Sequence, residues 1–248
     1  DLSKAGHQPM ISKSKNLVIE FNGEIYNHLE LRKLFDSSFA WNGSSDTETL
    51  IALFEKYGVI KTIELLEGMF VIALWDESKQ ELYLIRDRFG EKPLYCLNAH
   101  NHFAFASELK ALKLIPWMKN DIDLNSLSRY FQHSFIPGKD SIYENVNKLI
   151  PGEILTITVK NNKIKQQKFQ YWTIEEQINL SKSNGYKGNF EEAVIEVENT
   201  LRLSVKQQLI ADVPVGIFLS GGVDSSLISI LAQQESSKSI KYPASQRN

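Results

Sequence analysis

Apolar residues in the first two thirds of the chain fall in short runs that polar turns separate. The run from 17 to 21 leads into Asn22 and Gly23, which predicts a strand ending in a tight turn, because both residues tolerate positive φ. The segment from 68 to 87 predicts two buried strands joined by a polar turn. Alternating apolar and polar positions from 152 to 172 predict another strand pair. The pattern therefore indicates a strand-rich first domain.

Two helices are predicted between these strands from the residues that would start and end them. Asn27 precedes a short amphipathic stretch and has Glu30 three residues on, which is the spacing of a helix cap and its partner. Ser45 and Glu48 repeat that spacing before a longer stretch with apolar residues on one face. Gly58 is the predicted end of this second helix, since glycine is common just past the last helical residue.

The composition changes after the last predicted strand. The polar stretch 175–189 contains two glycines and predicts a linker. The apolar register of 190–210 predicts a long helix, and the apolar run 215–219 predicts a buried strand. The predicted domains are therefore residues 1–175 and residues 190–248.

The net charge and the cysteine content argue against several classes of protein. The chain has 248 residues and a formal net charge of −2, so there is no broad basic field that would indicate a nucleic acid or an anionic membrane as a partner. No apolar run approaches the length that crosses a bilayer. The single cysteine, Cys96, excludes a disulfide framework and favours a reducing compartment. Because the chain starts at Asp1 without a signal peptide, we expect it to begin inside a longer gene product or after processing.

The stretch "SGGVDSS" at 220–226 lies between the predicted strand and a helical pattern. Its glycines let a ligand approach the backbone, and the free N–H groups at a helix start suit a phosphate. Asp224 would repel a phosphate unless a cation stands between them, which implies Mg²⁺. The alternative is an ordinary strand-to-helix turn that Asp224 or Ser225 caps.

This stretch resembles the pyrophosphate-binding loop of the ATP pyrophosphatases, which convert ATP to AMP and pyrophosphate. The resemblance implies that the loop holds the phosphates of ATP and that Asp224 faces a magnesium ion. The residues that it assigns to the nucleotide are Leu219, Ser220, Gly221, Gly222, Asp224, Ser225 and Ser226.

Five further motifs precede the loop: "FNGEIYN", "SSDTE", "GMFVIALWD", "RDRFGEKPLY" and "FASELKAL". Their order and spacing, together with the loop, resemble the glutamine-dependent asparagine synthetases from Asp1 to about Lys241. The resemblance implies an α+β, four-layer αββα Ntn-hydrolase (glutaminase) domain. The beginning of an α/β PP-loop ATP pyrophosphatase domain would follow it.

In that family an N-terminal cysteine attacks the amide of glutamine, and its own α-amine can act as the base. The resemblance assigns Asn22 and Gly23 to the oxyanion hole, as catalytic and glutamine-binding residues. It assigns Glu24 and Asp46 to the α-amino group of glutamine, which carboxylates are suited to hold. From the residues alone, Asn22 and Gly23 could form only a turn, and Asp46 could be only a helix cap.

This chain departs from the family pattern at both ends. The family's cysteine, and the arginine that binds the glutamine carboxylate, precede the segment at which this chain starts, so we expect both to be missing. Cys96 is interpreted as a packed strand residue rather than a substitute. Arg86 and Arg88 are interpreted as structural residues paired with acidic neighbours. The family's synthetase domain would continue, so residues after about Asn189 are expected not to be stably ordered alone.

The resemblance implies a ligase whose complete form uses glutamine and ATP to convert aspartate, through an aspartyl adenylate, to asparagine, AMP and pyrophosphate. It also implies Mg²⁺, a cytoplasmic location and, by analogy, a homodimer. Two alternatives stay open. One is a related amidotransferase acting on another carboxylate, such as a sugar acid in polysaccharide synthesis. The other is a catalytically dead fragment that binds glutamine, and we expect the chain alone to be inactive.

Overall fold

A computed structural model describes residues 3–99, 101–161, 163–211 and 214–238. Its internal contacts divide the chain into a first unit, Asp1–Asn179, and a second unit, Leu180–Asn248. The domain limits expected from the sequence, 1–175 and 190–248, stay a prediction. Within the described ranges, no helix is both long and apolar enough to cross a membrane.

All strands of the described residues lie in the first unit. After a 3₁₀ turn at Lys4–Gly6, the strands in chain order are β1 (Met10–Ile11), β2 (Leu17–Ile25), β3 (Gly68–Asp76), β4 (Glu81–Arg86), β5 (Tyr95–Ala99), β6 (His102–Ala106), β7 (Val146–Lys148), β8 (Glu153–Lys160) and β9 (Lys163–Gln170). The helices are α1 (His28–Arg32), α2 (Asp46–Leu65), α3 (Leu109–Leu112), α4 (Leu124–His133), α5 (Ile174–Ser183), α6 (Phe190–Gln208) and α7 (Val223–Lys238).

The strands form two antiparallel sheets. One has six strands in the order β1-β2-β3-β4-β8-β9, and the other has three in the order β6-β5-β7. Strands β2 and β3 pair along their whole length, from Leu17 opposite Asp76 to Ile25 opposite Gly68. This long ladder sets the register of the larger sheet.

Three buried clusters stack these sheets into layers. The first lies between α2 and one face of the six-stranded sheet and includes Leu50, Leu53, Ile19, Phe70 and Ile72. The second lies between the two sheets and includes Val71, Ala73, Leu84, Leu94 and Cys96. The third covers the outer face of the small sheet, where Leu97 and Val146 meet Leu112 of α3. The order helix, sheet, sheet, helix confirms the predicted αββα layers.

Strand β2 is longer than its apolar run indicated. Asn22 and Gly23 lie inside the strand, opposite Val71 and Phe70, so the predicted tight turn after residue 21 is wrong. Pairing with β3 outweighs the local turn preference of Asn-Gly, because backbone N–H and C=O groups beside the core need hydrogen-bond partners, and the paired strands supply them. Glycine is nevertheless required at 23, since a Cβ there would lie 2.1 Å from the carbonyl oxygen of Met69.

The predicted helix starts are only partly correct. The Ser45 side chain accepts a hydrogen bond from the Thr47 N–H, as a cap should, but Glu48 binds elsewhere. Asn27 makes no side-chain cap; its amide bridges the Leu65 carbonyl and the Glu67 N–H instead. Gly58 breaks the helical geometry with φ 75°, yet a further helical segment follows it to Leu65.

Helices α6 and α7 of the second unit pack on a small apolar cluster. Val205 of α6 contacts Leu231 and Ala232 of α7, with Leu201 and Ile228 beside them. The N-cap of α6 is Asn189, which forms a reciprocal capping box with Glu192. The predicted long helix is thereby confirmed.

Two predictions about this part of the chain are wrong. The expected linker 175–189 contains most of α5, which Thr173 caps by accepting the Glu176 N–H. The expected buried strand 215–219 is not a strand, and Phe218 is 98% exposed. A parallel strand is stable only beside other strands in a sheet whose faces are both covered, and the described residues of the second unit contain no strand.

Gly68→Ala should destabilise the first unit, because the new Cβ would lie 2.1 Å from the Glu24 carbonyl oxygen and force β2 and β3 apart. Overpacking of this kind lowers the free energy of unfolding by about 1–3 kcal/mol. Urea unfolding followed by tryptophan fluorescence measures it, since all four tryptophans lie in the first unit. Gly185→Ala is the control, because its φ is not positive and its Cβ would meet nothing within 4 Å. Equal losses in the two variants would contradict the steric argument.

Backbone amides from 215 to 222 should exchange with deuterium faster than those of β3. These residues lie outside regular secondary structure, whereas β3 is paired on both sides. Mass spectrometry of peptides after timed exchange measures the difference. Equal protection of the two segments would show an ordered strand at 215–219 in solution.

Candidate functional site

The hydrogen bonds of Phe70 on β3 show which way the backbone groups near the end of β2 point. Phe70 accepts a hydrogen bond from the Asp87 N–H (2.9 Å) and donates its own N–H to Asp87 Oδ2 (3.3 Å), so both of its groups face β4. Gly23 is opposite Phe70, and this pair is therefore a non-hydrogen-bonded one. The Gly23 N–H consequently points away from β3, to the outer edge of β2.

Asp46 lies at that same outer edge. Its Oδ2 accepts the N–H of Ile25 at 3.0 Å, and Ile25 is two residues from Gly23 on the same side of the strand. Asp46 is the first residue of α2, and Ser45 is its cap. The structure thus brings together the Gly23 N–H and the Asp46 carboxylate, which are 23 positions apart in the chain.

The other two predicted residues lie beside them. The exposed Asn22 donates its side-chain amide to Ser107 Oγ at 3.2 Å. Glu24 is half-buried, and its carboxylate contributes to the raised pKa of the neighbouring Tyr26. Burial is the main cause of that shift, which brings the Tyr26 pKa to about 12, with Glu91, Glu24 and Asp87 adding to it. The Tyr26 phenol is therefore protonated and neutral at pH 7.

The loop in front of Asp46 is held by Arg32, a residue that the sequence pattern did not single out. Its guanidinium donates to the carbonyls of Gly43 (2.9 Å) and Ser45 (2.8 Å) and to Thr49 Oγ1 (2.7 Å). Glu48 accepts the Gly43 N–H at 3.0 Å and lies 3.5 Å from the guanidinium. Glu48 is 6% exposed, so its charge needs these partners.

Aromatic rings support the same loop. Phe35, Phe39 and Trp41 form a cluster with ring centroids 4.5–5.2 Å apart. The Arg32 guanidinium lies 4.2 Å from the centroid of Trp41, and the Lys13 ammonium lies 3.6 Å from that of Phe39. Such contacts are favourable because the face of an aromatic ring is negative. The loop that leads to Asp46 is therefore restrained both by Arg32 and by these rings.

His28 is buried next to this loop. Burial lowers its pKa, Arg32 acts in the same direction, and the Asp46 carboxylate opposes them. The net direction favours a neutral imidazole beside Asp46 at pH 7. Among the residues that the structure describes, no hydrogen-bond partner reaches Nδ1 of His28.

The two arginines of "RDRFG" are structural, but their partners are backbone carbonyls rather than acids. Arg86 donates to the carbonyls of Lys92, Gly90 and Leu149 at 2.5–2.7 Å. Arg88 donates to the carbonyl of Leu66 at 2.6 Å. Carbonyls at turns and helix ends need donors, and an arginine can serve several at once.

Cys96 is a packed strand residue, as expected. It lies on β5 between the two sheets and is 8% exposed. Burial raises the pKa of its thiol to about 12. Since the thiolate is the reactive form, Cys96 cannot supply a nucleophile at neutral pH.

The predicted nucleotide residues all lie in the second unit, at the start of α7. Leu219 and Ser220 precede the helix, and Asp224, Ser225 and Ser226 lie in its first turn, which begins at Val223. Gly221 adopts φ 82°, and Ser220 Oγ lies 3.0 Å from Ser225 Oγ. The loop is solvent-exposed, with hydroxyls and helix-start N–H groups close together.

This set of donors fits a phosphate, because exposed hydroxyls and first-turn N–H groups are the donors that anions use at helix starts. Ser225 and Ser226 now donate to the Gly222 carbonyl, at 3.1 and 2.8 Å, and would rotate to bind a ligand. Asp224 offers one carboxylate, and no cluster of three metal-ligating side chains occurs in the described ranges. A magnesium ion here would need phosphate oxygens or water as further ligands.

Comparison with protein families matches both units. Residues 1–172 match the family described as glutamine amidotransferase domain, and residues 196–244 match the family described as asparagine synthase.

Curated relatives match across the same span. Asparagine synthetase (glutamine-hydrolyzing) 1 of Bacillus subtilis is 33% identical over 237 residues, which cover 92% of this chain and 34% of that protein. Asparagine synthetase (glutamine-hydrolyzing) 3 of the same organism is 33% identical, with 97% and 38% covered. Amidase chyE of Penicillium rubens is 34% identical, with 92% and 32% covered. The chain thus spans about a third of the length of these relatives.

Among solved structures, glutamine phosphoribosylpyrophosphate amidotransferase from Bacillus subtilis has a TM-score of 0.48 and 18% identity, and covers 70% of this chain and 33% of its own. The allosteric regulatory enzyme of purine biosynthesis has a TM-score of 0.49 and 20% identity, with 68% and 32% covered. The fold described above rests on its own layers rather than on these likenesses.

Native protein should resist alkylation of Cys96 at pH 8, because burial and a pKa of about 12 keep the thiol protonated and inaccessible. Iodoacetamide labelling followed by intact mass measures this. The same protein in 8 M urea (about the concentration that unfolds small domains) should add one label. Rapid labelling without denaturant would mean that the interface between the sheets opens.

Proposed function

Because the chain belongs to the family of glutamine amidotransferase domains, we propose that its first unit binds glutamine for an enzyme that transfers the amide nitrogen to a carboxylate. The observation that carries the proposal is the shared edge of β2. There the Gly23 N–H and the Asp46 carboxylate, one donor and one anion, face the same side. Glutamine needs both, since it has an amide oxygen at one end and an ammonium at the other.

The oxyanion that forms during attack on the amide would be stabilised by the Gly23 N–H and the side-chain amide of Asn22. Donors fixed in place before the reaction stabilise developing charge without reorganisation. The Gly23 N–H is fixed by the ladder, and Asn22 is oriented by its contact with Ser107. Glu24 and Asp46 would hold the α-ammonium, which charge-assisted hydrogen bonds favour. The attacking thiol is not Cys96, whose pKa is about 12.

For the second unit we propose ATP binding at the start of α7, with Leu219 against the nucleoside and the phosphates on the residues Ser220, Gly221, Gly222, Ser225 and Ser226. The match to the asparagine synthase family supports it. A magnesium ion on Asp224 would neutralise phosphate charge. The whole enzyme would activate aspartate as an aspartyl adenylate, accept ammonia from glutamine, and release asparagine, AMP and pyrophosphate, in the cytoplasm where ATP is available.

A different carboxylate acceptor is the second candidate. The amidase chyE is as similar to this chain as the asparagine synthetases are, at 34% against 33% identity. The names of the relatives thus do not agree on one reaction, and we leave the acceptor open between aspartate and another carboxylate, such as a sugar acid. The homodimer stays a prediction.

Asp46→Asn should weaken binding of L-glutamine at least tenfold, because a charged partner of the ammonium becomes neutral. The amide oxygen can still accept the Ile25 N–H, so the fold is preserved. Titration of ¹⁵N-labelled protein, with the shifts of the Gly23 and Ile25 amides as readout, measures the affinity. Glu30→Gln, an exposed change on α1, is the control and should bind like the unaltered chain. Equal affinity of Asp46→Asn and the control would contradict the proposed site.

A further inference from the structure

Asp87 is a buried carboxylate, 1% exposed, immediately after β4. Its Oδ1 accepts the N–H groups of Phe89 and Glu91, each at 3.0 Å. Its Oδ2 accepts those of Lys92 (3.0 Å) and Phe70 (3.3 Å). Four backbone donors thus compensate one buried charge, which is the number of lone-pair sites that a carboxylate has.

Three of these donors belong to the loop after β4, and the fourth belongs to β3. In an unbroken ladder the Phe70 N–H would bind a backbone carbonyl of the next strand. Here the Asp87 carboxylate takes that place, while the Asp87 carbonyl accepts the N–H groups of Gly90 (3.2 Å) and Gly152 (2.9 Å). The chain can therefore turn away at 88–92 and still leave both backbone groups of Phe70 bound on the β4 side.

We propose that Asp87 is a positioning residue for the Gly23 N–H, acting through Phe70. The inference rests on the proposed function, in which that N–H stabilises the oxyanion. Phe70 is the register partner of Gly23, and its N–H and carbonyl are both bound to Asp87. As long as they are, Gly23 cannot form a hydrogen-bonded pair with β3, and its N–H remains directed to the ligand edge.

The close approach of the two strands transmits the position of Phe70 to Gly23. A Cβ on Gly23 would lie 2.7 Å from the Phe70 Cα, so little space separates the two backbones. Any shift of Phe70 after the loss of Asp87 must therefore move Gly23. Asp87 itself contacts no ligand in this scheme.

The matched control is Asp76, at the other end of β3. It is 6% exposed and accepts the Ser78 hydroxyl and the Lys79 N–H, so it also caps a turn after a strand. Its partner on β2 is Leu17, six residues from Gly23. Asp76→Asn should cost stability as Asp87→Asn does, without reaching the ligand edge.

The test compares L-glutamate with L-norvaline, which has a methyl group in place of the γ-carboxylate. Both engage Glu24 and Asp46 through the ammonium, but only glutamate presents an oxygen anion to Gly23. Asp87→Asn should weaken glutamate roughly tenfold, as loss of a charged hydrogen bond does, and leave norvaline unchanged. Asp76→Asn should change neither affinity. NMR titration of the full chain and of both variants measures the affinities for the two ligands.

A loss of affinity for both ligands in Asp87→Asn, or for neither, would overturn the inference. If the unaltered chain binds neither ligand, the proposed function fails. The inference is then tested on the ligand-free protein. The Gly23 amide resonance should then shift in Asp87→Asn and stay in place in Asp76→Asn; no shift in either would overturn it. If Asp87→Asn does not fold, Asp87→Glu replaces it, because this change keeps the charge but moves the oxygens. Its affinities for glutamate and norvaline are then compared in the same way.

Discussion

The pairing of β2 with β3 is the contact on which both the core and the candidate site depend. It aligns nine residues on each strand, and the residues of β3 alternate between two clusters, with Phe70 and Ile72 facing α2 and Val71 and Ala73 facing the second sheet. The same alternation decides which backbone groups of β2 are used within the ladder and which face outward. A shift of one residue would reverse both. Packing of the core therefore holds the Gly23 N–H in the direction that a ligand needs.

The resemblance to the glutamine-dependent asparagine synthetases, which short motifs carry, implied the αββα layering and the grouping of residues 22, 23 and 46, while runs of apolar residues predicted strands of the first unit. These signals are local, and the structure keeps them wherever a buried face of a strand or helix is involved. Arg32 and Asp87 could not be found in this way, because most of their partners are backbone atoms, namely two carbonyls for Arg32 and four N–H groups for Asp87. A carbonyl or an N–H has no residue identity, so nothing in the amino-acid pattern marks the groups that these side chains bind.

Local propensity was misleading where tertiary pairing competes with it or is absent. Asn22 and Gly23 favour a turn, yet the ladder extends the strand through them. The run 215–219 has the composition of a buried strand, but a strand is stabilised by its neighbours, and the second unit offers none in the described ranges. Thr173 and Glu176 had capping-box spacing, and the polar composition around them concealed the start of α5.

Gly58 divides α2 into two helical rods. The position is exposed, and a side chain added there would meet no atom within 4 Å of its Cβ. The first rod carries Asp46 at its start and buries Leu50, Leu53 and Phe54 in the core, so it is anchored without the second. Movement at this joint is not passed to the ligand edge by a continuous helix. The joint is consequently a natural attachment point, where a fluorophore or an inserted loop could report on the protein while leaving the carboxylate of Asp46 in place.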